Sequence, residues 1–204
     1  VIWSQGFLVA KYAFFNSDVI YFLAIRMALA SAILFLISRL MKISLTLSRG
    51  DIYISLAIGV ALQVIYLGGV WQAEAEGAPA GIASVITSMQ PLLVSLLAIR
   101  LLGESLTRMQ LIGLFLGFSG VLLVVSHSFQ SQSEITVMSI VLLIAALLGS
   151  TSATLAQKKI GHSVPLLTGT FYQFLFASII LFSISVISGN RDIQWNLESS
   201  IAMA

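Results

Sequence analysis

The sequence holds no cysteine and very little charge: only 9% of its 204 residues are Asp, Glu, Lys or Arg. Without cysteine there are neither disulfides nor thiolate metal sites, and the redox compartment stays open. A soluble domain usually carries about 25% charged residues to face water, so this chain cannot coat a soluble surface of its size. The formal net charge of +2 is too small and too scattered to support nucleic-acid binding. Histidine is scarce too, and His127 and His162 both fall in predicted connections. No histidine or carboxylate pair stands at metal-ligand spacing, and no glycine-rich loop is placed to cradle phosphate. Nor does any serine–histidine pair come together in the expected topology. The chain is therefore read as no enzyme, with no cofactor and no metal, and as no pump driven directly by ATP.

What the chain does have is apolar residues, 58% of the total, with a mean hydropathy of +1.03. A bilayer core about 30 Å thick needs roughly 20 apolar residues per helix. Seven stretches meet or approach that length: 1–15, 19–40, 51–72, 79–101, 108–126, 135–157 and 165–188, with an eighth expected to start near Trp195. They are long and continuously apolar rather than alternating, which selects helices over barrel strands. The chain begins at Val1-Ile2-Trp3 inside one apolar run and stops at Ala204 just inside another, so it is expected to be a fragment.

Charge sorts the connections into two sets. Arg39, Lys42, Arg49, Arg100, Arg108, Lys158 and Lys159 flank the even-numbered connections, whereas Asp18, Glu74, Glu76, Glu134 and Asp192 occupy the odd ones beside Arg191. The positive-inside rule makes the even connections and the amino terminus cytoplasmic. The alternation with each crossing supports the span count independently.

One internal match survives when the chain is slid against itself, at an offset of 147 residues. Ala30-Ser31-Ala32-Ile33-Leu34-Phe35-Leu36-Ile37-Ser38 lies over Ala177-Ser178-Ile179-Ile180-Leu181-Phe182-Ser183-Ile184-Ser185, and in the same register Lys11 falls on Lys158 and Arg26 on Gln173. The alternative is coincidence between apolar helices, which draw on few residue types. As a true repeat the unit has five helices, an odd number, so its second copy sits inverted. Inverted repeats are a common construction of secondary transporters, with substrate held near the midplane.

Several segments together carry a family resemblance: Gly77-Ala78-Pro79-Ala80-Gly81-Ile82-Ala83-Ser84, Gln90-Pro91-Leu92-Leu93, Leu102-Gly103-Glu104-Ser105-Leu106, Gln110-Leu111-Ile112-Gly113 and Gly117-Phe118-Ser119-Gly120-Val121. In order and spacing they resemble the EamA domain of the drug/metabolite transporter superfamily, as do Trp3 to Lys11 and Arg26. The resemblance implies an all-α polytopic membrane protein of ten helices in two inverted five-helix repeats. Residues 1–126 then form the first repeat and 135–204 a partial second one, about seven to eight of the ten helices. Ser4-Gln5 after Trp3, and the charged Glu74-Ala75-Glu76, depart from the family pattern and leave substrate identity open.

Candidate functional residues follow from polarity at depth. Arg26 lies about seven residues, or about 10 Å, inside the outer edge of its helix. An arginine at a helix centre costs roughly 2.5–3.5 kcal/mol on insertion scales, so it is expected to meet a cavity or a partner. It reads as an anchor for an anionic group; the alternatives are snorkelling or pairing with Asp18 or Glu74. Lys11 sits about one turn from the outer end of its helix, where interfacial anchoring competes with a binding role. Gln5, Gln63 and Gln90 fall at one depth and point to a shared polar cavity, against the alternative of one interhelical hydrogen bond each. Tyr66, Ser84, Thr87 and Ser88 are placed to line the same space. Pro91 removes the donor for the Thr87 carbonyl at mid-helix, as a hinge, a binding element or a packing kink. Glu104, four residues from both Arg100 and Arg108, reads as structural. Gly113 and Gly117, with Gly120, have the spacing of close helix packing, in the bundle or against a second copy.

The expectation is a secondary-active exporter of small metabolites or drugs, working by alternating access in a bacterial inner membrane. Its partners would be a small-molecule substrate, the lipid bilayer, protons as a coupling ion and a second copy in a homodimer, but not nucleic acid. A non-transporting membrane receptor or assembly subunit is the alternative.

Overall fold

The computed structural model describes residues 18–130, 136–160 and 164–189, and all regular structure among them is helical. Helix α1 spans Val19–Leu40; its first turn is capped by Asp18, whose Oδ1 accepts from the Tyr21 N–H at 2.7 Å. Helix α2 spans Arg49–Ala75 and opens on Ser48, whose Oγ accepts from the Asp51 N–H at 3.1 Å. Its middle, Val60–Gly68, is π-helical. Helices α3 (Ala80–Thr87) and α4 (Gln90–Leu102) are two halves of one span, followed by α5 (Arg108–Gln130), α6 (Val137–Ile160) and α7 (Leu166–Ser188). Five spans among the described residues are long and apolar enough to cross a membrane. The six apolar runs expected between residues 19 and 188 are met by these helices to within a few residues. The first run, and the eighth near Trp195, lie outside the described residues.

The charged connections segregate to opposite ends. At the basic end the Thr168 hydroxyl donates to Ser44 O and the Tyr172 hydroxyl to Leu45 O, tying the start of α7 to the α1–α2 connection. Glu104, just after α4, pairs there with Lys158 near the end of α6. Glu104 occupies that position because Gly103 ends α4 at φ +70°, a left-handed conformation that glycine adopts without a Cβ penalty. At the acidic end Ser139 Oγ donates to Glu76 O, joining the end of α2 to the start of α6.

The most extensive packing is between α1 and α7. Tyr21 meets Phe182 with ring centroids 6.0 Å apart and Phe35 meets Phe171 at 6.1 Å, so the two helices run antiparallel. Ser31, Ser38, Ser178 and Ser185 are all buried. Phe22, Leu23 and Met27 of α1 form the core with Val70 and Trp71 of α2, Leu143 and Ala146 of α6, and Leu181 of α7. The outward surfaces carry exposed Leu36, Phe115, Leu116, Ile179 and Ile187, an apolar exterior suited to lipid.

Lipid tails are as apolar as leucine, so helices in a bilayer gain little from hiding apolar surface and associate by close packing. The close approaches converge on α2. A Cβ on Gly69 would stand 3.1 Å from Leu142 O, and one on Gly149 of α6 would stand 2.9 Å from Ala61 O. The helix α5 glycines make no such approach among the described residues. Gly113 and Gly120 have open space where a Cβ would go, and Gly117 meets only the Leu92 side chain, at 3.4 Å. Their spacing matches a packing motif, and among the described residues no second backbone meets that face.

Candidate functional site

Arg26 projects from α1 onto α2, its guanidinium carbon 5.6 Å from the centroid of the Trp71 ring. Trp71 is fully buried and stacks on Phe22, with centroids 6.0 Å apart. A cation over an indole face contributes about 0.5–2 kcal/mol, more where water is excluded. The half-buried arginine thus lies against aromatic core. Neither acid named as its partner takes that role: Asp18 caps α1, and no ion pair joins Glu74 to Arg26 among the described residues. Both Glu74 carboxylate oxygens, one turn beyond Trp71, are buried without a hydrogen-bond partner.

The π-helical stretch carries Gln63 and Tyr66. π-geometry widens the turn and is enriched at functional sites. Here it occupies the part of α2 that packs on both α6 and α7. Gln63 is half-buried, and Tyr66 packs against the core.

Gln90 crosses to another helix. Its Nε2 donates to Thr154 Oγ1 at 2.8 Å and to Ser150 O at 3.4 Å, linking the start of α4 to α6. This is the interhelical bond weighed as the simpler reading of a glutamine at depth, and it occupies the amide N–H groups in this conformation. Thr87 is buried with its hydroxyl donating to Ala83 O and Ser84 O of its own helix, so it offers no spare donor. Ser84 and Ser88 likewise donate to carbonyls of their own turn.

Pro91 does not sit within an unbroken helix. The chain turns at Ser88–Met89, and Pro91 lies in the first turn of α4, where helices accept proline because first-turn N–H groups have no partner within their own helix. Glu104 pairs with Lys158, its Oε2 2.7 Å from Nζ, rather than with Arg100 or Arg108. Sequence proximity favoured the arginines, but the turn at Gly103 faces the carboxylate toward α6. Gln5 and Lys11 lie outside the described residues.

Trp71 and Thr154 are site neighbours that the sequence reading missed. A tryptophan in an apolar run and a threonine in a helix carry no signal until a partner helix is known. The described residues contain no cluster of His, Cys, Asp or Glu able to hold a metal ion.

Over 183 residues the chain is 27% identical to a Bacillus subtilis (strain 168) protein named "Uncharacterized transporter YvbV", covering 89% of this chain and 58% of that relative. The chain thus spans little more than half of that relative's length. No solved structure matches it. The model of the EamA-like transporter family matches residues 1–126, more than half of the chain. With five apolar spans, the molecule is a multi-pass integral membrane protein. The chain belongs to the EamA-like transporter family.

Proposed function

We propose that the protein is a secondary-active carrier that exports a small polar or zwitterionic solute by alternating access between two inverted repeats, the first at 1–126 and the second represented in part by 135–204. The observation that carries this reading is the α1–α7 pair. The 147-residue offset relates these two helices to each other, and they pack antiparallel on one another. Midway between their two aromatic contacts lie Ala28 on α1 and Phe176 on α7, and the offset carries Ala28 to Leu175, one residue away. The antiparallel packing and the near-matching midpoints support the inverted repeat that the offset implies. Buried Ser31 and Ser38 then correspond to buried Ser178 and Ser185.

On this reading Arg26 and Gln90 select the solute, with Gln63 and Tyr66 on the π-helical stretch beside them and Gln5 and Lys11 completing the site. Thr87 contributes packing around it. The break at Ser88–Met89 before Pro91 serves as a hinge. The basic end faces the cytoplasm of a bacterial inner membrane, and a proton gradient supplies the energy. Transport rather than catalysis fits the family membership and the name of the relative. The test is flux of a pooled metabolite mixture into proteoliposomes holding the full-length protein, with an imposed pH gradient. Uptake lost in Arg26→Ala and Gln90→Ala, with folding intact, is the expected result. Uptake unchanged in both variants overturns the site, and no uptake of any solute favours a receptor or assembly subunit.

A further inference from the structure

A cleft of about 440 Å³ opens at the basic end, away from Arg26 and Gln90. Its walls are the first turns of α2, the end of α6 and the start of α7. That volume suits a small organic molecule. Ile54, Ile58 and Leu166 supply apolar surface, while Ser55, Gln173 and Lys158 supply polar groups.

Ser55 is the first indication that the cleft is built for a ligand. It is 1% exposed, and its Oγ has no hydrogen-bond partner. Other helical serines, including Ser31, Ser38, Ser84, Ser95 and Ser152, each donate to a carbonyl three or four residues back. A buried hydroxyl left unmade costs about 1–3 kcal/mol, so Ser55, in the cleft wall, gains from any shift of that wall that brings it a partner.

Lys158 is the second. Its ammonium is held by Glu104, but in an exposed pair, with side chains 47% and 39% exposed. Such pairs contribute about 0–1 kcal/mol, so an anion arriving in the cleft exchanges with Glu104 at little cost. The third is the repeat register, in which Gln173 and Lys158 are the counterparts of Arg26 and Lys11. The polar pair expected at one end of the path thus recurs at the other.

We infer that this cleft binds a small amphipathic carboxylate, with Lys158 releasing Glu104 to take the solute carboxylate. The apolar part of the solute lies against Ile54, Ile58 and Leu166, Gln173 hydrogen-bonds its polar groups, and Ser55 joins them as the wall adjusts. The inference rests on the transport reading, since it makes the cleft the basic-end station of the same path.

The test is calorimetric binding of hexanoate to the full-length protein in nanodiscs, with hexylammonium and hexanol as controls. Hexanoate alone binds. Lys158→Gln weakens it about tenfold or more, as expected for loss of a charge-assisted contact. Glu104→Gln strengthens it severalfold, because the competing carboxylate is gone; a merely structural ion pair gives no such gain. Thr170→Cys places a thiol in the cleft, and hexanoate slows its reaction with maleimide, read against the parent protein as a blank. Equal binding of the controls, unchanged or weaker binding in Glu104→Gln, or a thiol that maleimide never reaches each overturns the inference. The assay needs no flux, so hexanoate binding without transport sinks the carrier reading and spares the cleft. Transport without hexanoate binding does the reverse.

Discussion

Gly59 of α2 meets Gln173 of α7 backbone to backbone. A Cβ on Gly59 would stand 2.7 Å from the Gln173 carbonyl oxygen and 2.8 Å from its Cα. Because the obstacle is main chain, no rotamer change relieves it, and the helices must separate. Overpacking of this kind costs about 1–3 kcal/mol. Gly59→Ala should therefore lower the melting temperature of the purified protein. Gly113→Ala, where a Cβ meets open space, should leave it unchanged or raise it, since alanine favours helix over glycine by about 1 kcal/mol. Equal melting of the two variants would show that the α2–α7 approach is looser than described.

The Arg26–Trp71 contact gives a second prediction. Trp71→Phe keeps a ring beneath the guanidinium and should weaken solute affinity only severalfold in a folded protein. Trp71→Ala empties a fully buried position in the core and should cost about 3–5 kcal/mol of stability. Melting and solute binding, measured on both variants, separate the two effects.

Gln90 and Thr154 should be energetically coupled. Thr154→Val removes the acceptor 2.8 Å from Gln90 Nε2, at a cost of about 0.6 kcal/mol, the average for such bonds in a membrane protein. A double-mutant cycle with Gln90→Leu, read by reversible unfolding in bicelles, should return a coupling of that order. Strict additivity would mean that the bond does not form in the bilayer.

Pro91→Ala is expected to leave melting within about 1 kcal/mol of the parent, because first-turn proline gives up no hydrogen bond. Its effect should fall on transport rate instead, through the bend at Ser88–Met89. A stability loss with normal transport would make the proline a packing element and not a hinge.

Much of the helix layout was legible in the sequence, because a span must be long, apolar and bounded by polar connections. Val19–Leu40 matches its apolar run residue for residue, and Leu166–Ser188 differs by one. Partners were not legible, because they depend on which helix faces which. Glu104 has two arginines four residues away and pairs with a lysine 54 residues away. Gly113 and Gly117 have the packing spacing, yet Gly59, Gly69 and Gly149 make the close approaches. The π-helical stretch under Gln63 and Tyr66 left no trace in composition, since i→i+5 bonding there is a matter of helix packing. The candidate site was half readable: Arg26 and Gln90 stood out as costly polar groups at depth, while Trp71 and Thr154 became visible only as the groups they touch.

The most direct test of alternating access is counterflow in proteoliposomes holding the full-length protein, using the solute identified by the pooled uptake screen. Vesicles are loaded with unlabelled solute, diluted into a trace of labelled solute, and given no ion gradient. A carrier that alternates about the α1–α7 pair transiently accumulates label above its equilibrium level, and Arg26→Ala abolishes that overshoot. Label that rises monotonically to equilibrium, as through a pore, or that never enters would contradict the account.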